Sequence, residues 1–181
     1  TGVQTCALPI LPAVKKSSAG ELIGIASAAG LTSTTAAKRF GFRYASSSEA
    51  DIINDPDINT VIVMTRHQEH ARQVISLLKA GKNVYCEKPL ALNEDELASI
   101  EKILRKTGMP LLTVGFNRRF APQAIALKQY FATDNEPLHI PYRVNAGYLP
   151  STHWLHEAAQ GGGRIIGEGC HFIGFLTYLT G

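Results

Sequence analysis

The chain has 181 residues, of which 45% are apolar and 18% are charged, a composition typical of a globular protein with a core of its own. Its formal net charge of +3 is spread along the sequence without a basic block, which argues against nucleic acid or a membrane surface as a partner. Cys6, Cys86 and Cys170 form no CxxC pair, and this odd number favours a reducing, cytoplasmic location over a disulfide framework.

The first ten residues are set apart from the rest. Residues 1–10 show neither a helical period nor a cap, and they resemble a translated sequencing-adapter tail. We therefore predict a non-native tail there and leave it out of the fold.

The chain after this tail alternates between short apolar runs and capped helical stripes. In order, we predict the tail of a helix at Leu11–Lys16, a buried strand at Leu22–Ala26, a helix capped by Thr32, Ser33 or Thr34 and ended by Gly41, and a short turn capped by Ser48. There follow a buried strand at Val61–Met64, a helix over His70–Gly81, a strand at Asn83–Cys86, a helix begun by an Asn93–Glu96 capping box, and a strand at Leu111–Val114. Repeated strand–helix alternation with short connections predicts an α/β fold with a doubly wound parallel sheet.

Polar clusters follow three of these strands. They are Thr65-Arg66-His67 with His70, then Glu87-Lys88, then Asn117-Arg118-Arg119. Ligands of parallel sheets bind off the carboxyl ends of the strands, so the clusters predict a binding site at that edge.

Lys88 lies at the end of one of these strands, immediately before Pro89. Proline restricts the preceding residue to extended geometry, so the backbone direction of Lys88 is fixed and its amine is aimed. The alternative interpretation is a surface lysine paired with Glu87, because most lysines are exposed.

The pattern changes near residue 118. Apolar and polar residues alternate over 138–146, which predicts a strand with one wet face, typical of an antiparallel sheet. Gly161–Gly163 predict a flexible turn before a helix that starts near Gly167. In its first turn, Glu168 and His171 are i, i+3 neighbours, so the carboxylate can orient the ring and favour its protonated form. The alternative is a helix N-terminus with a stabilising acid and an incidental histidine.

Four motifs stand in order along the chain: TRHQEHA at 65–71, EKPL at 87–90, GFNRRF at 115–120 and GGGRIIGEGCHF at 161–172. By these motifs the chain resembles, from Leu11 to Gly181, the Gfo/Idh/MocA family of glucose-fructose oxidoreductase and inositol dehydrogenase. The likeness is greatest to the branch found as the C-terminal half of two-domain bacterial oxidoreductases.

The resemblance implies a partial Rossmann domain for NAD or NADP over residues 11–117, without its first strand and glycine-rich turn. Over 118–181 it implies the truncated beginning of an α/β domain with an open, largely antiparallel sheet for substrate and oligomer contacts. It further implies hydride transfer between nicotinamide and a carbinol of a sugar, inositol or related polyol, with Lys88, His171 and Glu168 as catalytic residues. The predicted cofactor contacts are Ser27, Thr65, Arg66, His67, His70, Glu87, Lys88 and Asn117, and no metal site is predicted.

Three departures from the family pattern limit this transfer. The glycine-rich fingerprint does not occur in the sequence, Glu168 stands where many relatives have aspartate, and Gly174 stands where the branch has an acid. After the first strand, no acid stands near Ser27 to bind the ribose hydroxyls of NAD, and this slightly favours NADP. No arginine stands beside Ser27 to bind a 2′-phosphate either.

Two hypotheses about function remain at this point. The first is the dehydrogenase, expected to act as a homo-oligomer when full length. The second is a regulator that senses a dinucleotide or metabolite without turnover. If the first hypothesis is correct, Lys88 and His171 should converge on one cleft, with Thr65 and His70 on its cofactor side and Asn117 at its floor.

Overall fold

The computed structural model describes residues 7–17, 20–106, 108–132 and 136–181, without the side chains of residues 7–9. Five strands form in this part of the chain: β1 (Gly24–Ala26), β2 (Tyr44–Ser46), β3 (Thr60–Val63), β4 (Asn83–Cys86) and β5 (Leu112–Val114). Its α-helices are α1 (Ala7–Ser17), α2 (Gly30–Phe40), α3 (Glu49–Asn54), α4 (His67–Lys79), α5 (Glu94–Leu104), α6 (Pro122–Tyr130) and α7 (Cys170–Thr180). None of these helices is long and apolar enough to cross a membrane.

The strands form two parallel ladders, which confirms the α/β class with parallel sheets. β1 pairs with β2, and β4 lies between β3 and β5, so that Val63, Cys86 and Val114 stand in one row. In the described residues no strand joins the two ladders. The sequence analysis missed β2, because its three residues combine one aromatic with an alanine and a serine and carry no apolar run.

The core lies between the larger ladder and the two helices that cover it. α4 and α5 pack on each other and α4 packs on β4, in agreement with the predicted helical stripes. The core side chains are Val63, Ala71, Val74, Leu77, Leu78, Val84, Cys86, Ile100 and Ile103. This packing fixes the positions at which β3 and β4 end.

Three of the four predicted caps are confirmed, whereas α4 begins at His67, three residues before its predicted start at His70. Ser48 caps α3 by accepting from the amide of Ala50, Asn93 caps α5 by accepting from the amide of Glu96 at 2.9 Å, and Gly41 ends α2 with a φ of 87°. The fourth prediction is wrong, because α2 begins at Gly30, one turn before the predicted cap. Ser33 lies inside α2, where its hydroxyl donates to the carbonyls of Gly30 and Ser46.

Helix α1 crosses the predicted end of the non-native tail. It runs over Ala7–Ser17, and Leu11 is 5% exposed. The predicted boundary between residues 10 and 11 therefore has no counterpart in the fold, while residues 1–6 lie outside the described part.

The predicted strand over 138–146 is absent, and residues 137–150 are irregular. A strand is stabilised by ladder hydrogen bonds, but Pro141 has no N–H to donate and no described segment pairs with this one. Of its apolar side chains, Tyr142 packs on α7: its ring lies 5.8 Å from that of Phe172 and 5.9 Å from that of Phe175. The open antiparallel sheet thus remains a prediction.

The triple glycine forms a tight turn rather than a flexible one. A Cβ on Gly161 would lie 2.4 Å from the Cα of Leu155, and Gly162 and Gly163 adopt φ of 75° and 77°, so side chains are unfavourable at all three positions. A π-helical turn over Ile165–Gly169 then leads into α7, which therefore starts three residues later than predicted.

Candidate active site

The three predicted polar clusters lie at one edge of the larger ladder. Val63, Cys86 and Val114 end β3, β4 and β5 in a single row, and the clusters follow within three residues. The parallel arrangement therefore places groups that are distant in sequence at the same edge, as the strand order predicted.

Lys88 reaches from this edge to the second half of the chain. Its Nζ donates to the carbonyl of Gly167 at 2.5 Å, and the Lys88–Pro89 peptide bond is cis. The alternative of a surface pair with Glu87 is wrong: Glu87 is only 6% exposed, and its Oε1 accepts from the Tyr85 hydroxyl at 3.2 Å. The amine is aimed as expected, and its acceptor is a backbone carbonyl of the π-helical turn.

His171 lies in the same cleft as Lys88, which confirms their predicted convergence. The cleft has a volume of about 410 Å³ and is lined by Lys88, Arg118, Tyr142, Arg143, Val144, Asn145, Ala146, Glu168, His171 and Phe172. The Nδ1 of His171 is buried and has no hydrogen-bond partner among the described residues. Burial, followed by the positive charges of Lys88 and Arg118, lowers the pKa of His171 to about 4, so the ring is neutral near pH 7.

Glu168 forms no hydrogen bond or ion pair with His171 in the described part of the chain, so the predicted carboxylate–imidazole pair is wrong. Its Oε2 accepts from Nε of Arg164 at 2.8 Å, four residues earlier. The π-helical turn, which bonds i to i+5, takes Glu168 out of the i, i+3 register with His171 that a regular helix would give. The expected rise in the pKa of His171 is also reversed, because burial and then the charges of Lys88 and Arg118 lower it and Glu168 does not oppose them.

Gly174 lies behind His171, where the branch pattern has an acid. A Cβ at this position would lie 3.2 Å from Cδ1 of Phe116, whose ring stands edge-on to the imidazole at a centroid distance of 6.4 Å. An aromatic ring therefore occupies this side of the histidine.

His70 is inside the protein and does not face the cleft. It is 1% exposed, with Nδ1 at 2.7 Å from the carbonyl of Pro89 and Nε2 at 3.0 Å from the carbonyl of Thr65. Both ring nitrogens are thus directed at backbone atoms, and the prediction that His70 lines the cofactor side is wrong. The Thr65 hydroxyl donates to Oε1 of Gln73 at 2.6 Å.

Arg66 and His67 face the second half of the chain. Arg66 donates to Oε1 of Gln160 at 3.3 Å and stacks over Trp154, and Nδ1 of His67 lies 3.0 Å from the carbonyl of Gly161. The His67 ring also meets Trp154 edge-on at 4.9 Å. Burial is the largest cause that lowers the pKa of His67. Arg66 and His67, which were predicted to contact the cofactor, thus bind the segment 154–161.

The remaining predicted cofactor residues are spread along the strand ends. Ser27 follows β1, where its amide donates to Ser46 and its hydroxyl to the carbonyl of Ala29. Asn117 is exposed in a short 3₁₀ turn after β5 and does not line the cleft, so the prediction that it forms the floor is wrong. Its neighbour Arg118 lines the cleft instead.

Arg118 and Arg143 are the charged cleft residues that were not predicted as site residues from the sequence. The Arg118 guanidinium lies 4.6 Å from the centre of the Phe172 ring and donates to the Tyr142 hydroxyl at 3.3 Å. Arg118 belongs to a polar cluster that was recognised, so its position was a usable signal. For Arg143 the only sequence signal was the alternation of apolar and polar residues over 138–146. That pattern does not identify the residues that face Arg143 in the fold.

Comparison with known proteins gives a family. The profile of a family described as "Oxidoreductase family, NAD-binding Rossmann fold" (GFO_IDH_MocA) matches residues 2–116, which include most of the predicted non-native tail. The chain belongs to this family. The resemblance inferred from the four motifs is thereby confirmed.

Two curated relatives indicate the range of the family. Inositol 2-dehydrogenase 2 of Saccharopolyspora erythraea is 32% identical over 134 residues, 72% of this chain and 37% of that protein. Levoglucosan dehydrogenase of Pseudarthrobacter phenanthrenivorans is 36% identical over 153 residues, 81% of this chain and 39% of that protein. The chain thus spans less than half the length of either relative.

Solved structures agree on the fold. A levoglucosan dehydrogenase in its apo form superposes with a TM-score of 0.78 at 26% identity, covering 98% of this chain and 50% of that chain. Its complex with NADH and levoglucosan gives a TM-score of 0.73 at 29% identity, covering 89% of this chain and 46% of that chain. The likeness extends past the family match into the second half, which carries His171.

Proposed function

We propose that the protein carrying this chain is an NAD(P)-dependent oxidoreductase that transfers a hydride between nicotinamide and a carbinol of a sugar, inositol or related polyol. The observation that carries the proposal is the convergence of Lys88 and His171, 83 positions apart in the sequence, on one cleft at the ends of the parallel strands. Similarity to inositol and levoglucosan dehydrogenases supports the substrate class.

The chain's own residues account for the proton. Lys88 is tethered to the carbonyl of Gly167 and presents its remaining N–H bonds to the cleft, where a substrate hydroxyl can accept one of them. His171 is neutral near pH 7, because its pKa is about 4, so it is able to accept the hydroxyl proton. A bound nicotinamide would supply or take the hydride.

The residues at the strand ends fit a dinucleotide. Thr65, Glu87 and Asn117 follow neighbouring strands of a parallel ladder, the usual location of a nucleotide in such folds. We propose NAD or NADP as the cofactor, with a slight preference for NADP, because Ser27 is followed by two alanines and offers no carboxylate to the adenosine ribose.

Replacement of Lys88 tests the proposal. In the protein with its natural flanking sequence, Lys88→Ala should lower kcat by about 10²- to 10⁴-fold and leave dinucleotide affinity within a few fold. The measurement is the change of NAD(P)H absorbance with a panel of polyols, with Lys79→Ala on the outside of α4 as the control. Equal turnover by the parent and Lys88→Ala would remove Lys88 from catalysis.

A sensor without turnover is the second candidate, and the pairing of Glu168 with Arg164 favours it, since a proton relay would use that carboxylate. The same assay decides, because a sensor binds dinucleotide and oxidises no polyol in the panel. The cytoplasmic location expected from the cysteines and the homo-oligomer expected from the family remain predictions.

A further inference from the structure

The cleft that holds Lys88 and His171 carries an excess of positive charge. Its lining includes three cations, Lys88, Arg118 and Arg143, and one acid, Glu168. We infer that it recognises a polyol bearing an anionic group, a carboxylate or a phosphate, through Arg118 and Arg143. This inference rests on the proposed function and narrows its substrate class.

The single acid does not balance the cations. Glu168 already pairs with Arg164 at 2.8 Å, and Arg164 also donates to the carbonyl of Gly147 at 3.0 Å. Among the ion pairs of the described residues, none includes a cation of the cleft lining. The cleft therefore presents about three unneutralised positive charges to whatever enters it.

The same positive charges act on His171. The charges of Lys88 and Arg118 both contribute to its lowered pKa, after burial. Arg118 and Arg143 are exposed, so a neutral polyol would leave them hydrated and without an ionic partner. An anionic group would be attracted to them.

Arg118 is held in a position suited to an anion. Its guanidinium lies on the Phe172 ring and uses one N–H on the Tyr142 hydroxyl, which leaves further donors of the planar group for a ligand. Two parallel N–H groups match the oxygens of a carboxylate or phosphate. Because the stacked side chain is already ordered, little conformational entropy is lost on binding.

The position of these arginines separates them from the cofactor phosphates. Both follow β5 in the chain and line the cleft with Tyr142 and Phe172, on the side of His171. The pyrophosphate of a dinucleotide binds at the first strand–helix turn of a Rossmann domain. We therefore assign the positive charges of Arg118 and Arg143 to substrate binding.

Calorimetric titration tests the inference without turnover. The probes are D-glucitol, D-gluconate and D-glucitol 6-phosphate, which present a neutral chain, a carboxylate and a phosphate. We expect one or both anions to bind at least about ten-fold more tightly than glucitol, and the better anion identifies the group. Arg118→Gln and Arg143→Gln should each weaken anion binding by about ten-fold and weaken glucitol binding much less.

The control is Arg105→Gln, which removes the same charge from the exposed end of α5, where Arg105 pairs only with Glu101. Equal affinities for glucitol and both anions, no anion binding up to about 10 mM, or an equal loss in Arg105→Gln would overturn the inference. These outcomes are separate from the proposed function, which the NAD(P)H assay decides with neutral polyols as well.

Discussion

At the scale of single residues, His70 has a different task from the one its motif suggested. It joins the carbonyl that follows Lys88 in the chain, that of Pro89, to the carbonyl of Thr65 after β3. The ring thus ties two strand ends together beneath the cleft. Sequence reasoning placed it correctly at the strand edge, but periodicity cannot distinguish a histidine that faces a ligand from one that faces buried backbone.

Removal of this ring should cost stability. We expect His70→Leu to lower the free energy of unfolding by roughly 1–3 kcal/mol, because it removes both ring contacts and leaves a buried acceptor without the N–H of the ring. Urea denaturation measures the change, and Gln68→Leu, exposed on the same helix, should stay within about 0.5 kcal/mol of the parent. If His70→Leu matched Gln68→Leu, the two ring contacts would contribute nothing to the fold.

The histidines of the site make stability depend on pH. The pKa of folded His171 is about 4, below its ordinary value of 6.5, so the unfolded chain binds more protons in this interval. The contribution of His171 is therefore complete above pH 6.5 and is lost as the pH falls toward 4. His67, whose pKa is also lowered, acts in the same direction.

We therefore expect the melting temperature to rise between about pH 5 and 6.5, above the range in which carboxylates titrate. His171→Gln should flatten this rise, because it removes one titrating group, whereas Thr177→Ala on the exposed face of α7 should keep the slope of the parent. Thermal melts followed by circular dichroism measure both. An unchanged slope in His171→Gln would contradict the cause assigned to its lowered pKa.

At the scale of elements, short sequence patterns correctly predicted the features that depend only on neighbouring residues. The caps at Ser48 and Asn93 and the stop at Gly41 depend on a few neighbouring residues, and all three formed as predicted. The strand over 138–146 depends on a partner strand, and the π-helical turn on packing against Leu155 and Lys88. Neither condition is encoded within a window of the sequence.

The glycine turn offers a test of that packing. A Cβ on Gly161 would meet the backbone of Leu155 at 2.4 Å, so Gly161→Ala forces the segment away from its neighbours. We expect a loss of about 1–3 kcal/mol in the free energy of unfolding, from overpacking. Gly20→Ala is the matched control, since a Cβ there meets nothing within 4 Å, and equal stabilities would show that the turn yields without cost.

At the scale of the whole chain, the cleft comes from two halves that sequence patterns describe separately. The Lys88 motif and the His171 motif each predicted a polar group near an element end. Their meeting follows from the bond between Lys88 and Gly167 and from the contacts of Arg66 and His67 with residues 154–161. Strand order anticipated which edge would carry the site, and family resemblance supplied the pairing of residues. The charge of the cleft needed the structure, because Arg118 and Arg143 are 25 positions apart and line one cleft only in the folded chain.

The sequence also predicts how tightly the 181-residue chain binds its cofactor. In a Rossmann fold the pyrophosphate is bound by backbone amides of a glycine-rich turn at a helix N-terminus, and this sequence contains no such fingerprint. The strand-end groups proposed to contact the cofactor, Thr65, Glu87 and Asn117, include no cation and so leave the phosphate charge uncompensated. We therefore expect NADH and NADPH to bind weakly, with Kd in the millimolar range or above, corresponding to no more than about −4 kcal/mol. Isothermal titration calorimetry measures this, with an intact levoglucosan dehydrogenase as the positive control. Micromolar binding by this chain would show that its strand ends hold the dinucleotide without that turn.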